Sequence, residues 1–222
     1  MEPLAVMRRI FLMAFLTALA APALAQRSAL LWFDPTQLPS YCGRLERWIA
    51  SPSGEVERGV MREGTQFVFP ASEADALAAG IERGGSICVW GIRSRSAPVV
   101  LMLAWARTDS DPATFVERPA WFIDIKPGRE PMTVSGRIQA PLLTPQGEPM
   151  GVILADGGGS IRMPTAAYRR LAAMLRPGEN VVAEGLGARH GDRVAVDAVR
   201  IGRDTASLQA LPEVSPPANT RR

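Results

Sequence analysis

Apolar and polar positions alternate in short runs along residues 38–107, and again along 132–203, with glycine and proline between the runs. Tyr41 to Ile49, Gly59 to Arg62, Thr65 to Phe69, Ser86 to Ile92 and Val99 to Ala106 read as five strands. Thr133 to Leu143, Gly151 to Ala155, Ser160 to Met163, Asn180 to Leu186 and Arg193 to Ile201 read as five more. Glu63-Gly64 and Asp156-Gly157 supply the positive-φ residues that tight hairpins need. One short helix interrupts each set. After Pro70, Ser72 and Asp75 make a capping signature, and Leu77, Ala78 and Ile81 make one apolar face. After Pro164, Tyr168, Leu171, Ala172 and Leu175 do the same. Gly84 and Pro177-Gly178 end the two helices.

The two sets are copies of one unit. With Gly43-Arg44-Leu45 over Gly136-Arg137-Ile138, residues Pro52, Gly54, Glu55 and Gly64 fall on Pro145, Gly147, Glu148 and Gly157. One extra residue in the Gly157-Gly158-Gly159 turn shifts the offset once. Pro70, Leu77, Gly84, Gly91 and Arg95 then fall on Pro164, Leu171, Gly178, Gly185 and Arg189. Matches that keep their order through a single shift are the signature of a duplication.

Strand, strand, strand, helix, strand, strand is an order that resembles the OB-fold, a five-stranded Greek-key barrel with a helix between strands three and four. The expected fold is therefore mainly β, two tandem OB-like barrels at 38–107 and 132–203. An SH3-like barrel is the runner-up and lacks that helix. Residues 108–131 read as a linker in which Trp121-Phe122-Ile123 is apolar enough to pack against the barrels. Residues 204–222 read as a disordered tail, and 26–37 as a short N-terminal segment.

Residues 1–25 read as a cleaved export signal. Arg8 and Arg9 precede the apolar run Ile10 to Ala21, and Ala23-Leu24-Ala25 matches the pattern cut to leave Gln26 first. The run is shorter than the roughly 20 residues a spanning helix needs. Met7 is a tidier start than Met1. Arg8-Arg9-Ile10-Phe11-Leu12 also resembles a twin-arginine core, although Met7 and Met13 stand where that pattern has a polar residue and a lysine. The expectation is a soluble protein of the periplasm, secreted by the ordinary route.

Export changes the reading of the cysteines. Cys42 and Cys88 fall on the outward sides of strands one and four, which are antiparallel neighbours in an OB barrel. In an oxidising compartment a cross-strand disulfide follows. Ser135 and Val182 leave copy two unbridged.

Composition adds exclusions. The net charge is +3, too balanced to argue for a polyanion by itself. One histidine and two cysteines exclude a Cys/His zinc cluster, and no cofactor or metal is expected. Gly157-Gly158-Gly159-Ser160 lacks the Gly-Lys-Ser/Thr of a phosphate loop and reads as a turn. Asp156, Asp192 and Asp197 show no spaced cation loop. A triad would have to use His190, in the turn Arg189-His190-Gly191-Asp192, with no matched nucleophile or orienting partner.

For an OB barrel the usual ligand is a single-stranded nucleic acid on the outer face of strands one to three. Copy one offers Arg44, Trp48, Arg58, Arg62 and Trp90 at outward positions, with Arg93 and Arg95 in the loop beyond. Glu46, Glu55, Glu57 and Glu63 lie among them, and copy two has almost no outward aromatics. The functional expectation is an exported, non-enzymatic binding or scaffolding protein. The rivals are a binder of single-stranded nucleic acid or of an anionic oligosaccharide, and a hydrolase using His190.

Overall fold

The computed structural model describes residues 33–121, 126–155, 157 and 159–211. Residues 1–32, with the expected export signal, residues 122–125, with Phe122-Ile123 of the linker, Asp156, Gly158 and residues 212–222 lie outside that range. The first copy contains β1 (Ser40–Ala50), β2 (Val56–Met61), β3 (Gln66–Val68), α1 (Ala74–Gly80), β4 (Ser86–Arg93) and β5 (Val99–Ala106). Antiparallel pairs join β3–β2–β1–β4–β5, and a parallel β3–β5 pair closes the ring. The second copy contains β7 (Glu130–Leu143), β8 (Pro149–Leu154), β9 (Ser160–Arg162), α2 (Thr165–Leu171), β10 (Asn180–His190) and β11 (Arg193–Gly202). It closes the same ring through β9–β11. This is the OB-like order, and the fold is mainly β.

The copies agree bond by bond. Ser51 N–H donates to Glu55 O at 2.8 Å, and Thr144 N–H donates to Glu148 O at 2.8 Å. Gly54 and Gly147 take φ values of 92° and 89° inside those turns, a region open mainly to glycine. A register shift in β1 between Leu45 and Arg47 has its counterpart in β7 between Ile138 and Ala140. A second shift follows Trp90 in β4, and its counterpart follows Glu184 in β10. At these second bulges the neighbouring backbone comes so close that only glycine fits. A Cβ on Gly91 would lie 1.9 Å from Leu101 O, and one on Gly185 would lie 1.8 Å from Asp197 O. Gly91→Ala and Gly185→Ala are therefore each expected to cost about 1–3 kcal/mol, as overpacking does. Urea unfolding of either variant that matches wild type would contradict this close approach.

Each barrel interior is filled by one apolar cluster. Leu45, Phe67, Phe69, Leu77, Ile87 and Met102 anchor the first, and Ile138, Val152, Leu154, Ile161, Val181 and Val196 the second. Neither helix begins with a side-chain cap. Ser72 does not serve as one, because a 3-10 turn at Ala71–Glu73 feeds the chain straight into α1.

The repeat is longer than the five-strand reading. Inside the linker, β6 (Thr114–Phe115) adds to the edge of β5, and Val116 N–H donates to Leu103 O at 2.9 Å. In the segment read as a tail, Asp204 caps a 3-10 turn at Thr205–Ser207, and β12 (Gln209–Ala210) adds to β11. Leu211 N–H then donates to Val199 O at 2.9 Å. Val116 is fully buried in the first core, and Leu211 packs on the second. Residues 204–211 are thus part of the second barrel, held by side chains whose polar spacing resembled a tail.

Cys42 and Cys88 are direct partners in the β1–β4 register, with Cα atoms 4.0 Å apart, and they form a disulfide. Both sit outside the barrel interior, yet only Cys42 is exposed. Cys88 is covered, with Trp90, Ala104 and Ala106, by Ala113 and the 3-10 turn at Pro35–Gln37. Among the described residues no helix is long and apolar enough to cross a membrane.

Candidate functional site

The two barrels meet through the outer faces of β1–β3 and β7–β9. Ile49 and Val60 from one pack with Leu142, Met150 and Ile153 from the other. Ile49 and Leu142 are equivalent positions in the repeat, as are Val60 and Ile153. The contact is therefore self-complementary, as in a two-fold dimer, although both halves lie in one chain. Its axis passes near the first pair of bulges. Glu46 and Gln139 are equivalent, and Gln139 Nε2 donates to Glu46 Oε1 at 2.8 Å. Arg47 locks the pair by donating to Gln139 Oε1 at 2.5 Å, to Glu46 Oε1 at 3.2 Å and to Leu154 O at 2.7 Å. The turns obey the same symmetry. Gly54 lies against Ala188, and Gly147 lies against Ser94.

This seam decides where the seven expected ligand-binding residues go. The bulge at Glu46 reverses the alternation of β1, so Trp48 turns inward and lies edge-on against Phe67 and Phe69. Arg58 does face outward from β2, but the second barrel covers it and leaves it 1% exposed. Its Nη1 donates to Gln66 Oε1 at 2.9 Å, and Gln66 in turn donates to Pro141 O across the seam at 2.7 Å. Trp90 is buried under the N-terminal 3-10 turn and Ala113. Arg44, Arg62, Arg93 and Arg95 are exposed. They fall in two groups: Arg44 donates to Gly84 O and Arg62 reaches the same glycine, while Arg93, stacked over Tyr41, and Arg95 line one hollow with Trp121. The second barrel covers the outer face at Ile49, Arg58, Val60 and Val68, while the first half of β1, with Arg44, stays uncovered. The sign that sequence reading missed was apolar residues on both sides of β2 and β8, where a solvated face would alternate.

His190 is exposed near the β10–β11 turn, with no side-chain hydrogen-bond partner among the described residues. No group of three or more His, Cys, Asp or Glu among the described residues is placed to hold a metal.

Where β1 and the end of α1 face the turns of the second barrel, a cleft of about 370 Å³ opens. Trp48, Ile49, Ala50 and Ile81 floor it. Arg83 and Glu82 stand on one rim, and Arg193 and Asp192 on the other. None of these four side chains has a hydrogen-bond or ion-pair partner among the described residues. Gly157 and Gly159 also line the cleft.

On the other flank of the seam, a charge network ties the linker down. Arg162 is held by Asp197 through Nε at 2.5 Å and Nη2 at 2.8 Å. Its Nη2 also donates to Lys126 O at 2.7 Å, while Gly128 N–H donates to Asp197 at 3.2 Å. Lys126 pairs with Glu55 at 2.9 Å. Glu57 belongs to this group. Burial holds its carboxyl above the ordinary value of 4.5, against the pull of Arg58 and Arg162. Arg58, more deeply buried, is pushed down to about 10. A raised folded-state value contributes stability that is complete below the unfolded value and lost as pH rises through the folded one. Wild type should therefore lose part of its stability as pH rises above about 4.5, and Glu57→Gln should flatten that slope. Equal slopes of stability against pH in the two proteins, from denaturant titrations, would contradict the assignment.

No family model matches the chain, and no curated protein matches it. Among solved structures it is similar to a deletion mutant of the single-stranded DNA binding protein from Thermus aquaticus, at 17% identity. The match covers 80% of this chain and 95% of that one, with a TM-score of 0.22, at which the likeness bears on neither fold nor function.

Proposed function

We propose that the chain is an exported, non-enzymatic binding or scaffolding protein of the periplasm, which receives its ligand at the seam between the barrels. The observation that carries this reading is the cleft itself. It joins an apolar floor to a rim of four charged side chains without partners among the described residues, which is the composition of a recognition site. The signal-like residues 1–25 support export, and the Cys42–Cys88 disulfide suits an oxidising compartment.

A second reading, an anionic oligosaccharide as ligand, is favoured by Arg83 and Arg193, which line the cleft without a carboxylate partner among the described residues. The mature chain, immobilised, should retain a sulfated or carboxylated oligosaccharide at 50 mM salt and release it at 200 mM. If the ligand is instead a protein, capture from periplasmic extract identifies it. In either case Arg83→Glu with Arg193→Glu is expected to reduce retention at least tenfold. Retention unchanged in that variant would overturn the cleft as the site. Mass spectrometry of the exported protein should find Gln26 first, and residues 1–25 retained would overturn export. A hydrolytic activity that disappears in His190→Ala would overturn the non-enzymatic part.

A further inference from the structure

The two barrels differ at one strand edge. In the second, β7 starts early along β10, pairing Glu130 with Gly187, Pro131 with Leu186 and Met132 with Gly185. Arg129 N–H also donates to Gly187 O at 3.0 Å. In the first, the β1–β4 pairing stops at Ser40 and Trp90, because the chain before Ser40 comes from the 3-10 turn at Pro35–Gln37. Gly91, Ile92 and Arg93 are the counterparts of Gly185, Leu186 and Gly187, and among the described residues they pair with β5 alone. Ser94 N–H donates to Val99 O at 2.9 Å. Alternation gives the next bonds to Ile92 and turns Arg93 N–H and C=O to the open side. An unpaired edge of this kind is a template for a further strand.

The side chains beside the edge decide which strand fits. A hollow of about 380 Å³ lies there, lined by Ile92, Arg93, Arg95 and Leu101, by Trp121 of the linker and by Gln146 of the second barrel. Ile92 and Trp121 are 48% and 43% exposed. Arg93 lies over the Tyr41 ring, and Arg95 has no hydrogen-bond or ion-pair partner among the described residues. No carboxylate is among the described residues that line the hollow, whereas Glu82 and Asp192 stand beside the arginines of the cleft. Guanidinium groups in this state favour carboxylates, which they bind through charge-assisted, bidentate hydrogen bonds. A peptide supplies both a backbone for the edge and carboxylates for the arginines. A nucleic acid brings phosphates but no backbone that pairs with a strand.

We infer that the edge of β4 at Gly91, Ile92 and Arg93 receives an extended, acidic segment of a partner protein, which adds to the sheet as β7 does in the second barrel. Main-chain bonds give such a segment its affinity and alternate side chains its specificity. The site shares no lining residue with the cleft and does not rest on the cleft reading.

The test uses residues 26–222 and two fluorescein-labelled peptides of about eight residues, one alternating glutamate with valine and one alternating lysine with valine. In fluorescence anisotropy at low salt, the glutamate peptide should bind at least tenfold more tightly. On saturation, amide hydrogen exchange at Arg93 should slow at least tenfold, which a contact between side chains alone does not produce. Arg93→Glu with Arg95→Glu should reverse the preference, so that the lysine peptide binds more tightly. Arg83→Glu with Arg193→Glu should leave the glutamate peptide bound as before, so failure of the cleft reading and failure of this one are separable. The inference is overturned if the glutamate peptide does not bind at about 1 mM, if both peptides bind alike, or if Arg93 exchange is unchanged on saturation. It is also overturned if oligothymidylate displaces the labelled peptide at lower concentration than the unlabelled peptide does. Exchange at Arg93 that slows with protein concentration alone would make a second copy the occupant and overturn it too. Should the double-glutamate variant not fold, the comparison of the two peptides and the exchange measurement decide.

Discussion

Ile153→Asp is expected to part the two barrels without unfolding either one. Ile153 is 1% exposed and packs against Ile49, Val60, Leu142 and Met150 at the centre of the seam. A carboxylate there enters an apolar cluster while the nearest arginine, Arg47, is already held by Glu46, Gln139 and Leu154 O, so burying it costs several kcal/mol. Even Ile153→Ala, which only leaves a cavity, should cost about 2–5 kcal/mol. The aspartate variant should escape this cost by opening the seam, since Ile153 faces away from the interior cluster of its own barrel. Thermal unfolding should then change from one cooperative transition to two. Val60→Asp, at the equivalent position, should do the same. A single unshifted transition in both would mean that the seam contributes little.

The second large effect concerns the disulfide. Cys42 and Cys88 are 46 residues apart, and closing a loop of that length is worth about 4 kcal/mol in the chain-entropy model. Cys42→Ala with Cys88→Ala should lower stability by up to that amount. Reduction should do likewise, more slowly, because Cys88 is covered while Cys42 is exposed. Val182 and Ser135 pair at the corresponding place in β10 and β7, so the second barrel should be insensitive to reductant. Calorimetry with and without reductant checks both statements, and a reductant-insensitive double-alanine stability equal to wild type would contradict the first.

The parts of the fold that were legible in sequence are those fixed by local chemistry. Turn glycines recur because positive φ is needed at Gly54 and Gly147 alike, and Gly91 and Gly185 recur because a neighbouring strand leaves no room for Cβ. The disulfide was legible because its two residues lie on the first half of β1 and on β4, ahead of either bulge. What could not be read depends on one-residue events or on what covers a surface. A single bulge at Glu46 reversed Trp48, which alternation had placed outside. Arg58 and Trp90 were placed outward correctly, but the second barrel and the N-terminal 3-10 turn lie over them. Outward is not the same as exposed. The two-residue strands β6 and β12 are too short to leave any alternation, so the linker and tail concealed a sixth strand in each repeat.

The seam left a trace that alternation alone does not weigh. Gly151, Val152, Ile153 and Leu154 run apolar without a break, as a strand covered on both faces must. Its charges were visible as residues but not as partners. Arg47, Glu46 and Gln139 come together only because the repeat folds back on itself about an axis between equivalent bulges.

The central claim is that the barrels form one body because equivalent strand faces are buried on each other. The direct measurement is size-exclusion chromatography after cutting the chain at a protease site inserted between Glu117 and Arg118, just past the part of the linker that belongs to the first barrel, where Arg118 is exposed. The cut wild type should still elute as one species of the uncut size, and the cut Ile153→Asp variant as two. Two species from the cut wild type would contradict the account.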